Sequence, residues 1–413
     1  MRPYSRCSTI WGLNPRISRT TISVVDPSGV FSARGRALIQ TQNPMANHVS
    51  RRTGRHPRLS GWTAPMLMGL ALAVGLPACK RPQSVGSQTH LIRGLTMGTT
   101  YAVKLPAYEG MPDVREVSRR VEQELQRVNG QMSTYLEDST VSVFNRWRET
   151  EWMEVPPEVA AVVDQAQRLA ELSHGKFDIT VKPLVDLWGF GPAGPIDAPP
   201  AAEEVREMLA HVGYRKLEVR REPPALRKLD PLIEIDLSGI AKGYGVDRVA
   251  DVLDQLGAPA YFIEIGGEVR TKGRRADGRP WRVGVERPVE DRREILRVVE
   301  LVDLSMATSG DYRNFFLQDG QRFHHTIDPT TGFPVQDPIA AATAVDPQCA
   351  WADGVATCMM ALGLDEGLQL AENQQWAVLL VGRRGGELET VASSRFAALF
   401  PKVADDRAGE EEQ

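Results

Sequence analysis

Asp353 and Thr357 stand four residues apart in Ala352–Leu362, a stretch that can form a helix, so their oxygens would share one face. A carboxylate, a hydroxyl and nearby backbone carbonyls are hard oxygen donors suited to Mg2+, which completes its shell with water and substrate phosphates. The plainer alternative is that Asp353 is a helix cap. A second segment, Asp236-Leu237-Ser238-Gly239-Ile240-Ala241-Lys242-Gly243, reads as a strand-to-helix junction. Small residues at a helix N-terminus leave N–H groups free for an anion, and phosphate fits there. Lys242, about one turn in, could reach the same phosphate, while Asp236 would sit at the strand end facing a cleft. A capped surface helix with a solvated lysine is the competing account.

His324-His325-Thr326-Ile327-Asp328-Pro329 runs into Thr330-Thr331-Gly332, a turn signal, which places the histidine pair at a strand end beside a loop. Either imidazole could act as a general base, or be no more than a hydrogen-bonded loop residue. Gly189-Phe190-Gly191-Pro192-Ala193-Gly194 fits G-x-G-x-x-G, but Pro192 and the proline-rich stretch to Pro200 are incompatible with the strand, tight turn and helix of a dinucleotide fingerprint. No Walker A sequence and no G-x-S-x-G elbow occurs.

These candidates need elements to position them. Val114, Val117, Val121, Leu125 and Val128 recur at three- and four-residue steps and predict a helix ending at Gly130; Val159, Val162, Val163, Ala166 and Leu169 predict another from about Pro157 to Gly175. Gln131–Asn145 between them is polar and turn-rich, a binding loop by composition. Leu232–Leu237 alternates apolar and charged residues like a half-buried strand. Val246, Val249, Leu253 and Leu256 form the apolar face of the next helix, closed by Gly257, and Tyr261–Ile265 is a strand closed by Gly266-Gly267. The alternation of strands and helices, with no internal repeat, predicts one α+β body.

The chain's 413 residues, 42% hydrophobic and 25% charged, are ordinary for a globular protein. Residues 1–79 hold ten Arg, no Lys and one acid, Asp26, which leaves 39 basic against 52 acidic residues beyond them, a net of -13. So acidic a body argues against a nucleic-acid partner. Arg51, Arg52, Arg55 and Arg58 precede the apolar run Met66–Leu76, too short to span a bilayer, and Leu76-Pro77-Ala78-Cys79 resembles the box cleaved before an acylated Cys in bacterial lipoproteins. Residues 1–44 are read as an extension upstream of a true start at Met45, 45–79 as a lipoprotein signal peptide, 80–90 as a tether, and 403–413 as an acidic tail. The expected location is exported, on the periplasmic side, with Cys79 as the lipid anchor in the inner or outer membrane. Cys349 and Cys358 show neither C-x-x-C spacing nor a Cys/His cluster, against zinc or dithiol chemistry.

Met97-Gly98-Thr99, Met132-Ser133-Thr134-Tyr135, Phe177–Val181, Leu187–Pro192, Asp236–Gly243, Gly266-Gly267-Glu268, Ala307–Arg313, His325–Gly332 and Ala352-Asp353-Gly354 follow one another along the chain. In that order they resemble the ApbE family of FAD:protein FMN transferases, once described as thiamine biosynthesis lipoproteins. The resemblance implies a single T-fold-like catalytic domain over residues 91–402, with a mixed or antiparallel sheet and flanking helices. It implies FAD contacts from Met97, Tyr135, Lys176, Phe177, Asp178, Asp236, Lys242 and Ile327, and Mg2+ on Asp353, Thr357 and the Gly239 carbonyl. Some relatives carry a second side-chain oxygen three residues after the metal aspartate; here Ala356 offers only its carbonyl.

The implied reaction cuts FAD, links FMN to a Thr or Ser of an exported or membrane-bound acceptor protein, and releases AMP. Metal and Lys242 would neutralise the pyrophosphate, and either His325 or Asp353 would take the acceptor proton. A hydrolase splitting FAD with water, or a flavin-binding lipoprotein without turnover, would use the same residues. A redox flavoenzyme would need a nicotinamide site, of which the sequence shows no sign.

Overall fold

The computed structural model describes residues 88–289, 292–311, 315–318, 321–335, 339–385 and 387–401. The expected signal segment, Cys79, residues 80–87 of the tether, Tyr312, Arg313 and the acidic tail lie outside the described residues. Among the described residues one sheet runs β1 (Thr89–Thr96), β2 (Thr99–Pro106), β3 (Tyr261–Ile265), β4 (Glu268–Lys272), β5 (Ser305–Gly310), β6 (Ile339–Asp346), β7 (Ala377–Arg384) and β8 (Glu387–Ala392), in spatial order as in chain order. Every neighbouring pair is antiparallel. Of the two sheet types left open by the sequence, the antiparallel one is found.

Most of the helices are carried by the connections. Between β2 and β3 lie α1 (Val114–Met132), α2 (Thr140–Arg146), α3 (Pro157–Leu172), α4 (Lys182–Leu187), α5 (Ala202–Leu209) and α6 (Ala241–Gln255); between β6 and β7 lie α7 (Cys349–Leu362) and α8 (Leu364–Gln374). The predicted apolar faces are buried at Val117, Val121, Leu125 and Val128 of α1 and at Val246, Val249 and Leu253 of α6, with the end residues Val114 and Leu256 half-buried. Gly257, at φ +76°, follows the end of α6 as expected.

Three local expectations are corrected. α1 runs through Gly130 to Met132, because burying the Met132 side chain outweighs the roughly 0.5–1 kcal/mol that a mid-helix glycine costs. The polar stretch 131–145 is not all loop, since α2 begins at Thr140 with Ser139 as its N-cap, accepting the Ser142 N–H. Leu232–Leu237 does alternate, with Ile233, Ile235 and Leu237 buried, but it joins no sheet. The buried amide of Asn145 takes the place of a partner strand: it accepts the Ile235 N–H at 2.8 Å and donates to the Ile235 carbonyl at 2.9 Å. A side chain can satisfy an extended backbone as a ladder does, and the hydrophobic pattern is blind to which one serves.

α6 and α7 meet at glycine. A Cβ on Gly243 would stand 2.3 Å from the Cys349 carbonyl oxygen and 2.8 Å from the Asp353 Cβ. Asp247 of α6 accepts the Cys349 and Ala350 N–H groups at 3.0 and 2.9 Å, capping α7.

Candidate active site

Asp353 is 1% exposed, and its Oδ2 accepts the Gly243 N–H at 2.9 Å, in the first turn of α6. The cap reading is therefore correct in kind, but the helix it serves is another one. Oδ1 is buried without a hydrogen-bond partner, 3.7 Å from the Lys242 ammonium. Lys242 faces a second carboxylate, Glu268 Oε1 on β4, at 3.5 Å, and Glu268 Oε2 is likewise buried and unpartnered. Burial pulls the lysine down, but the two carboxylates outweigh it and the net shift is upward. Burial, with Asp353 adding to it against the pull of Lys242, raises Glu268 to about 8.

Thr357, one turn beyond Asp353, donates to the Gly239 carbonyl at 3.3 Å and lies 3.2 Å from Ser309 Oγ on β5. Hydroxyl and carbonyl thus meet one turn along α7 from the carboxylate, and the orphaned Asp353 Oδ1 is the vacant donor that a hard cation requires. Among the described residues no group of three His, Cys, Asp or Glu side chains could hold a metal, so the fit rests on this mixed oxygen set.

Met97 and Gly98, at φ +48° and +70°, form the two-residue turn between β1 and β2. A Cβ on Gly245 would stand 2.6 Å from Met97 Cε, so glycine lets this methionine lie against α6. Tyr135, 57% exposed, has its phenol raised by partial burial and by the carboxylates of Asp236 and Asp186. Asp236 accepts the Ser238 N–H at 2.7 Å and donates its own N–H to the Ile179 carbonyl, fixing the approach to Gly239.

A third group surrounds the turn after His325. Lys176 pairs with Asp328 at 2.7 Å and donates to Thr330 at 3.2 Å, while Trp188 donates to the Gly332 carbonyl at 2.8 Å. Ile327 is buried and bridges Pro334; Phe177 is buried in the core. Asp178 accepts from Thr180 N and Oγ1 and from Tyr214 N, so both of its oxygens hold the local fold. His324 is buried, with one ring nitrogen 2.8 Å from the Val335 carbonyl and the other accepting from Thr326 N. His325 packs edge-on against Phe190. The hydrogen bonds and ion pairs above thus join Asp353 to Lys242 and Thr357 to Gly239, two pairs one turn apart on α7, and tie Lys176 to the turn that carries Ile327 in a separate group.

The sequence pattern of the ApbE family matches residues 97–380, which takes in all three groups. The chain belongs to the ApbE family. A Vibrio cholerae relative called "FAD:protein FMN transferase" is 42% identical over 336 residues, covering 81% of this chain and 99% of the relative. The solved flavin transferase ApbE from Vibrio cholerae superposes with a TM-score of 0.71 at 41% identity, over 76% of this chain and 99% of that one. The apo form of the Pseudomonas stutzeri flavinyl transferase ApbE gives 0.71 at 37% identity, over 76% and 98%.

Within this ApbE scaffold the site holds residues to which sequence reasoning gave no role. Glu268 and Ser309 stood inside quoted motifs, yet their contacts with Lys242 and Thr357 arise from strands far away in sequence. Asp186 lies outside every motif and carries no local signal; it pairs with Lys182, and a Cβ on Gly191 would collide with its Oδ1.

Proposed function

We propose that this ApbE chain is a Mg2+-dependent FAD:protein FMN transferase. The observation that carries the site assignment is the buried, unpartnered Oδ1 of Asp353 beside Lys242, with the paired Thr357 and Gly239 oxygens one turn along the helix. Asp353, Thr357 and the Gly239 carbonyl would hold the ion, which when bound supplies positive charge for the pyrophosphate. Lys242 stands ready for the same phosphates. Met97 and Tyr135 present apolar and aromatic surface to the flavin, with Lys176, Phe177, Asp178, Asp236 and Ile327 shaping the walls around it.

An acceptor Thr or Ser oxygen forms the new bond to the FMN phosphorus as the P–O bond to AMP breaks, and AMP leaves as the anion. His325 takes the hydroxyl proton in this reading, because Asp353 has one oxygen held by the Gly243 N–H and the other turned to Lys242. Export and anchoring through Cys79 rest on the signal pattern and would place the acceptor among exported or membrane-bound proteins.

The test incubates the full chain with FAD, Mg2+ and a Thr-bearing acceptor peptide, with Asp353→Ala and EDTA controls. An FMN-sized mass gain with AMP release, lost in both controls, is the expected result. AMP without peptide modification would replace the transferase by an FAD hydrolase, and neither product would leave a flavin binder.

A further inference from the structure

Two buried carboxylates, Asp353 and Glu268, each 1% exposed and each with one unpartnered oxygen, flank a single ammonium. Lys242 Nζ lies 3.7 Å from Asp353 and 3.5 Å from Glu268, and its side chain is 31% exposed, so it can be reached by a ligand. Two buried carboxyl groups cannot both be neutralised by one ammonium, so one of them must take a proton or a further cation. Both carry an unpartnered oxygen, but only Asp353 has a further donor on its own helix, Thr357 one turn along α7, whose hydroxyl meets the Gly239 carbonyl at 3.3 Å. Glu268 sits instead on β4, immediately after the Gly266-Gly267 turn, which Glu264 pins by accepting the Gly267 N–H at 2.9 Å.

We infer that Glu268 is a positioning residue for Lys242: the lysine is the internal counter-ion of Asp353 in the metal-free site, and Glu268 retains it when a divalent cation claims Asp353. The inference rests on the reading of Asp353 as a metal ligand. It makes Glu268 a determinant of metal affinity without being a ligand, because without it the lysine has no second carboxylate and competes for Asp353.

The experiment titrates Mn2+ into the full chain without FAD, followed by electron paramagnetic resonance of free Mn2+, with thermal unfolding to confirm folding. Glu268→Gln is expected to weaken Mn2+ binding about ten-fold. Lys242→Met is expected to strengthen it, and in that background Glu268→Gln should change it by less than about two-fold. Unchanged binding in Glu268→Gln, or an equal loss with and without Lys242, would overturn the inference while leaving the metal reading intact. Wild-type protein that binds no Mn2+, or binding that survives Asp353→Ala, removes both. Should Glu268→Gln fail to fold, Lys242→Met decides alone: tighter Mn2+ binding supports the inference, and equal or weaker binding overturns it.

Discussion

Asp353 and Asp247 cap each other's helices: Asp353, on α7, accepts a first-turn N–H of α6, and Asp247, on α6, accepts the first two N–H groups of α7. The metal candidate is thereby held by the same contact that sets the crossing of the two helices. Stability and chemistry are coupled at this residue, and substitutions can separate them.

Asp353→Ala removes the acceptor of a buried N–H and should cost about 1–3 kcal/mol, together with transfer activity. Asp353→Asn keeps an acceptor for Gly243 but loses the charge. Urea unfolding should place it closer to wild type than the alanine variant, and the FMN-transfer assay should find both inactive.

Gly243→Ala tests the crossing itself. The added methyl meets the backbone at Cys349 and the Asp353 side chain, so the helices must part, at about 1–3 kcal/mol. Urea unfolding should show this loss, with Asp353 displaced and transfer reduced as well; wild-type stability would mean that the helix pair is slack.

Under the proposed function Tyr135 faces the flavin, and it sits in no core, so Tyr135→Ala should leave stability within about 0.5 kcal/mol of wild type while raising KM for FAD. Tyr135→Phe should retain most of the affinity. A thermal melt beside a steady-state titration separates the two readouts.

Glu264 gives a pH signature. Burial raises it to about 7, against the Gly267 N–H and Arg293, which lower it, from an ordinary value of 4.5. The folded state therefore binds more protons than the unfolded state between those values, and this group's contribution falls as pH rises from about 4.5 to 7. Glu264→Gln keeps the acceptor for Gly267. Relative to wild type it should gain stability across that window, by at most about 3 kcal/mol, in urea unfolding at pH 5, 6, 7 and 8. A constant difference would contradict the assignment.

The periodic faces of α1, α3 and α6, the stop at Gly257 and the β3 strand were legible in the sequence because each follows from residues within a few positions of one another. The same holds for the spacing of Asp353 and Thr357 on one face of α7, and for the ordered motifs that carry the family resemblance. What lies across the chain was not legible. Asn145 stands in for a strand 90 residues away, Asp353 caps a helix 110 residues earlier, and Glu268 meets Lys242 from a neighbouring strand. Periodicity reports which side of an element is buried, since burial acts on each residue separately. The partner of a polar group is chosen by which elements the packed core brings together, and only the tertiary structure makes that choice.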